Sequence, residues 1–204
     1  TLTADPADTL TVATDASRQG GMDGVVECGA DDGVGGLGFH PSDPELVFLV
    51  SEPWPDEIRT AMAASAARRA LRSELTGRRM PMPAAELFGG WAVAEAIQER
   101  LGRRFPAVLF VGDCRPAAAA ATAAKSRSST MRPLLAAMRS DGQQQLGVWV
   151  PRELNTDPDL LSHPSNRAAV EAAARAAGWR VAWLDIPRRC WDVLASTAGG
   201  EAGA

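Results

Sequence analysis

The sequence predicts an α/β fold: a mixed central sheet, three antiparallel strands and then parallel ones, flanked by helices. Three observations point to it. Strand-like apolar runs joined by turn residues cluster before residue 55. Helix-like and strand-like runs then alternate, the pattern of parallel pairing through helical crossovers. Two of the apolar runs stop abruptly at an aspartate. The chain has 204 residues, 46% hydrophobic and 23% charged, enough for one full core.

In chain order, "TLTADPAD" opens with small and polar residues, and residues 1–9 are expected to be a flexible tail. "TVAT" is a β-branched strand ending in Asp15 and Ser17. A glycine-rich stretch leads to "GVGGLGFH", whose glycines allow close approach of another backbone, and then to "ELVFLVSEPW". Turns between these three runs predict an antiparallel meander. Across 56–80 the Ala-rich "DEIRTAMAASAARRALRSEL" carries Ile58, Met62, Ala66 and Ala67, Leu71, Leu75 in two rows on different faces, a weakly amphipathic helix before the breaker "TGRRMPMP". In "AAELFGGWAVAEAIQERLG", Leu87, Trp91, Ala94, Ile97 and Leu101 form one apolar stripe. "PAVLFVGDC" is a continuous apolar strand of the kind buried on both faces, and ends in Asp113. Pro116 suits the first turn of the helix "RPAAAAATAAKS". A further helix, "STMRPLLAAMRS", precedes the strand "QQLGVWVP". The acidic "RELNTDPDLLSHP" follows, then a last helix and strand in "NRAAVEAAARAAGWRVAWLDIP". Residues 196–204, "STAGGEAGA", are expected to be a second tail, as of a domain cut from a longer polypeptide.

Charge and metal chemistry narrow the function. Net charge is −4, so any nucleic-acid contact must come from local cations. Three separated cysteines and two histidines argue against structural zinc and a disulfide framework, and suit a reducing, intracellular compartment (cytoplasm or nucleus). An apolar run of transmembrane length is absent from the sequence. In open α/β sheets, sites form at strand ends. Asp15 and Asp113 would meet there if their strands are neighbours. Two such carboxylates repel unless a cation lies between them, and oxygen-only ligands select a hard one such as magnesium or manganese.

Four motifs, "TDAS", "AAELFGGWAVAEAI", "LFVGDC" and "WVPRELNTDPDLLSHP", stand in the order in which the chain resembles the ribonuclease H domain of retroelement reverse transcriptases, of the DIRS-like retrotransposon and pararetrovirus type. The last motif carries Val150, Pro151, Asn155, Pro158, Asp159, Leu161 and Ser162. The resemblance covers about residues 11–163. It implies a ribonuclease H-like fold over 10–163; the inserted helix at 56–80 and the C-terminal helix–strand extension at 164–195 exceed the minimal fold of that family and are not explained by the resemblance. It also implies four metal-ligating catalytic acids, Asp15, Glu86, Asp113 and Asp159, holding two Mg2+ ions that Mn2+ can replace. The reaction implied is hydrolysis of the RNA strand of an RNA–DNA hybrid, beside a polymerase domain of the same polypeptide. Asp157 competes with Asp159 as the fourth acid. Departures from the family are Cys114 after the fourth-strand aspartate, Pro158 for a small residue, and the inserted helix.

Candidate substrate-binding residues are Ser17, Asn155, Lys125, Ser126 and Arg127. Asn155 reads equally as a loop-holding side chain. In "KSRSST" cations and hydroxyls suit phosphate contact. The competing grip is Arg68, Arg69, Arg72, Arg78 and Arg79, otherwise a solvated face. His163 reads as a surface histidine or an aid to product release. Two further functions compete: a ribonuclease H-like scaffold with little or no catalysis in a ribonucleoprotein assembly, and a DNA-cleaving two-metal nuclease on the same fold.

Overall fold

A computed structural model describes residues 8–17, 28–62, 80–139 and 142–199. Its elements are β1 (Thr9–Ala16), β2 (Gly33–His40), β3 (Asp43–Pro53), α1 (56–62), α2 (Met82–Leu101), β4 (Ala107–Gly112), α3 (Arg115–Ala123), α4 (Met131–Arg139), β5 (Gln144–Trp149), α5 (Thr156–Leu161), α6 (Arg167–Ala176), β6 (Arg180–Trp183) and α7 (Arg188–Gly199). The strands form one sheet in the order β5-β4-β1-β2-β3-β6. The first three are antiparallel neighbours, and β4, β5 and β6 join in parallel. This is the mixed sheet that the sequence predicts, three antiparallel strands and then parallel ones.

Alternation along β3 builds two cores, because successive side chains leave a strand on opposite faces. Phe48 and Val50 belong to one buried cluster with Leu10, Val12, Trp54 and, from α2, Phe88. Val47 and Leu49 meet Leu161 of α5 and Val170 and Ala174 of α6. Helix α2 is buried nearly all round, with Ala92, Val93 and Ala96 inaccessible besides the expected stripe. The stripe is too narrow a description because α2 lies between the sheet and a second layer made by α3, α4 and α7.

Two expected boundaries need correction. Thr9 is not tail but the first rung of β1, paired with Ala107 of β4. Residues 188–199 form a helix where none was expected, since Cys190, Leu194 and Thr197 recur at helical spacing and are buried. The extension after residue 163 therefore completes the same sheet and core. Of the inserted segment, 56–62 is helical, with Ile58, Ala61 and Met62 buried. Arg68, Arg69, Arg72, Arg78 and Arg79 lie outside the described residues, as do 18–27.

Close backbone approach occurs where the glycines of β2 predicted it. A Cβ on Gly35 would stand 2.1 Å from the Leu161 carbonyl carbon and the Ser162 nitrogen, so only a hydrogen lets α5 lie on the sheet. At the sheet's β5 edge, Gly147 does the same for α3: a Cβ there would stand 2.2 Å from the Ala118 oxygen. The Thr122 hydroxyl accepts the Gly147 N–H (2.9 Å) and donates to its carbonyl (3.2 Å), satisfying edge groups that a strand would otherwise pair. Far from this edge, Glu95 of α2 is buried and bonded by the guanidiniums of Arg104 and Arg189. No described helix is long and apolar enough to cross a membrane.

Candidate metal centre

The β1–β4 register places the two strand-tip aspartates together. Ala13 pairs with Val111, and two residues further along each strand stand Asp15 and Asp113. Helix α2 begins at Met82, behind Pro81, so Glu86 is on its second turn rather than at its opening. From there its carboxylate accepts the Ala16 N–H. Carboxylate oxygens of Asp15, Glu86 and Asp113 all lie within 4.8 Å of one another.

Electrostatics show what this costs. Burial pushes the Asp15 carboxyl up to about 6, with Asp113 and Asp159 adding to the rise and the Ser162 hydroxyl and Arg152 opposing it. Glu86 is raised well above the usual carboxylate range, first by burial, then by Asp15 and Asp113. Two unit charges about 4 Å apart repel by about 4 kcal/mol at an effective dielectric near 20. Such a cluster is relieved by protons or by a cation. An oxygen-only donor set converging this tightly fits a hard divalent ion.

Asp159 lies outside the three-acid group. It is on α5, and its carboxylate is bound by Arg152 at 2.6 Å. Its charge still reaches Asp15, whereas Asp157 is exposed. Helix α5 is fastened by side chains from the sheet. Ser17 donates to the Ser162 carbonyl (2.7 Å) and accepts the Gly33 N–H (2.9 Å), and Ser51 donates to the Leu161 carbonyl (2.6 Å). The buried Asn155 amide donates to the Thr14 carbonyl at 3.1 Å. The polar groups of Ser17 and Asn155 are thus engaged with the chain itself. They hold the acid-bearing helix beside β1.

Lys125 and Arg127 are exposed in the loop after α3, and neither has an ion-pair partner among the described residues. Ser126 is half-buried and accepts the Ser128 N–H, shaping that loop. His163 contacts the Asp31 carbonyl through Nδ1 (3.2 Å), on the turn that precedes β2. Cys114 is half-buried at the start of α3, its thiol pushed up to about 11 chiefly by burial, so it stays protonated at neutral pH. It lines a small pocket with Thr14, Glu86, Gly90, Phe110 and Ala117, next to the acids.

Sequence reasoning passed over Trp149, Arg115 and Arg152. The Trp149 indole N–H donates to the Asp113 carbonyl (2.8 Å), and the Arg115 guanidinium lies over its ring, 4.0 Å from the centroid. The available signal was a large aromatic at the end of a strand whose neighbour ends in an acid.

No family model and no curated protein matches the chain. Among solved structures, one similar to it is the RNase H1 from the halophilic archaeon Halobacterium salinarum NRC-1, with 16% identity, a TM-score of 0.45, and coverage of 75% of this chain and 93% of that one.

Proposed function

We propose that the chain is a metal-dependent endoribonuclease that cleaves the RNA strand of RNA–DNA hybrids, as the ribonuclease H domain of a reverse transcriptase polyprotein. The convergence of Asp15, Glu86 and Asp113 at two strand tips and a helix turn carries this reading. A fold has no physical need to hold three mutually repelling carboxyls against burial, whereas a site for hard cations does. Asp15, Glu86 and Asp113 would hold the ions, with Asp159 as the fourth acid. When bound, two divalent ions, magnesium or manganese in its place, supply Lewis acidity to the scissile phosphodiester and the attacking water.

The chain's own residues do the rest. Ser17, Ser51 and Asn155 hold α5, the helix that carries Asp159, beside the sheet, and Glu86 is oriented by the Ala16 N–H. Lys125 and Arg127 offer charge to substrate phosphates. Removing either should lower the slope of log K against log salt by about 0.9, the value for one phosphate contact on B-form DNA. The polymerase domain of the same polypeptide would be the partner, inside the cell, in cytoplasm or nucleus.

A second reading, a scaffold that binds nucleic acid with little catalysis, is favoured by one observation: Arg152 occupies the Asp159 carboxylate. Labelled hybrid incubated with magnesium separates the readings. RNA-strand products with 3′-hydroxyl and 5′-phosphate ends, lost in Asp15→Asn and Asp113→Asn, are expected. Binding without cutting would favour the scaffold, and equal cutting of duplex DNA a DNA nuclease.

A further inference from the structure

Asp113 stands where the secondary structure lets go. Strand β4 ends at Gly112, and its ladder with β1 closes at Ala13–Val111. On the β5 side the last main-chain bond is Val150 N–H to the Gly112 carbonyl, 3.0 Å. One residue beyond Asp113, Cys114 is the N-cap of α3, without a side-chain cap bond. The Asp113 peptide is therefore a junction between strand and helix. Its carboxylate shares a cluster with those of Asp15 and Glu86, like charges that repel, and a ligand must be held within about 0.5 Å and 10–20° of its working geometry.

We propose that Trp149 is the positioning residue for Asp113 in the metal centre, an inference that rests on the function proposed above. Its indole N–H holds the Asp113 carbonyl at 2.8 Å, fixing the peptide from which the carboxylate springs. Register makes this possible, since Trp149 pairs with Gly112 and its side chain reaches one residue along the neighbouring strand. Trp149 is 39% exposed, unusual for so large an apolar residue, so core packing alone does not account for it. The exposed Arg115 guanidinium, over the ring, restrains the indole from solvent. Arg115 and Asp113 flank Cys114, so the strand-to-helix junction is clasped by one tryptophan from both sides.

The test reads metal affinity rather than turnover. Manganese alone is titrated by electron paramagnetic resonance into wild type, Trp149→Phe, and a protein carrying benzothienylalanine at 149, which keeps the bicyclic ring and lacks the N–H. Loss of a group that orients a ligand costs about 10- to 100-fold in metal affinity. Both variants are expected to bind manganese at least about tenfold more weakly, with thermal midpoints near wild type. Arg115→Gln should weaken binding by less. If Trp149→Phe misfolds, the benzothienyl protein carries the measurement. Wild-type affinity in a folded variant lacking the N–H would overturn the positioning role while leaving the metal centre standing. Failure of wild type to bind manganese would overturn the metal centre itself, and this inference with it.

Discussion

At the residue scale, the Asp15 carboxyl carries a pH signature. It is raised to about 6, mainly by burial, against about 3.9 in an unfolded chain. Between those values the folded state holds more protons than the unfolded state, so stability falls as pH rises through that window. The contribution is fully present below about pH 4 and gone above about pH 6, and amounts to roughly 2–3 kcal/mol. Glu86 shifts in the same direction. Metal-free Asp15→Asn is therefore expected to melt higher than wild type at pH 7.5 and to show a flatter stability profile between pH 4 and 7. Magnesium should raise the wild-type midpoint at pH 7.5 and leave the variant's nearly unchanged. A variant less stable than wild type at neutral pH without metal would mean that the carboxylate is stabilised by neighbours rather than held against them.

At the element scale, α5 shows how closely the site depends on backbone contact. Gly35→Ala forces a methyl into the Leu161–Ser162 peptide, so α5 must lift from the sheet. A loss of about 2–3 kcal/mol in urea melts is expected, together with loss of the proposed nuclease activity, because Asp159 moves with the helix. On α2 the opposite holds. A Cβ on Gly89 would meet Val34 at an ordinary 3.4 Å, so Gly89→Ala should gain up to about 1 kcal/mol from helix propensity. Much of this level was legible in the sequence. Asp15 and Asp113 could be placed because an apolar run that stops at an acid marks a strand tip, and the glycines of "GVGGLGFH" announced a close neighbour. Helix α7 was not legible, because its buried positions include Cys190 and Thr197 among arginines and small residues, a weak apolar signal. The Arg152–Asp159 pair and the Trp149 bond were not legible either. They depend on side-chain reach across a turn and across strands, which spacing does not encode.

Over the whole molecule, the C-terminal helix is bound to the central one through charge. Arg189 reaches both Glu95 and Glu99 of α2, and Glu95 is buried with Arg104 as its other cation. Arg189→Ala leaves that buried carboxylate half-compensated. Losing a partner of a buried ion pair costs 3–5 kcal/mol, and with Arg104 still present about 2 kcal/mol is expected in denaturant melts. No change would mean that Arg104 and solvent already suffice. The sheet's β5 flank has a different consequence. Because Gly147 lets α3 lie against that flank and Thr122 satisfies the Gly147 peptide groups, the middle of β5 is closed to a second copy of the chain. Gly147→Val would prise the helix away and expose those groups on a strand that β-branching favours. The defect should then appear as colloidal behaviour, with light scattering that rises with protein concentration.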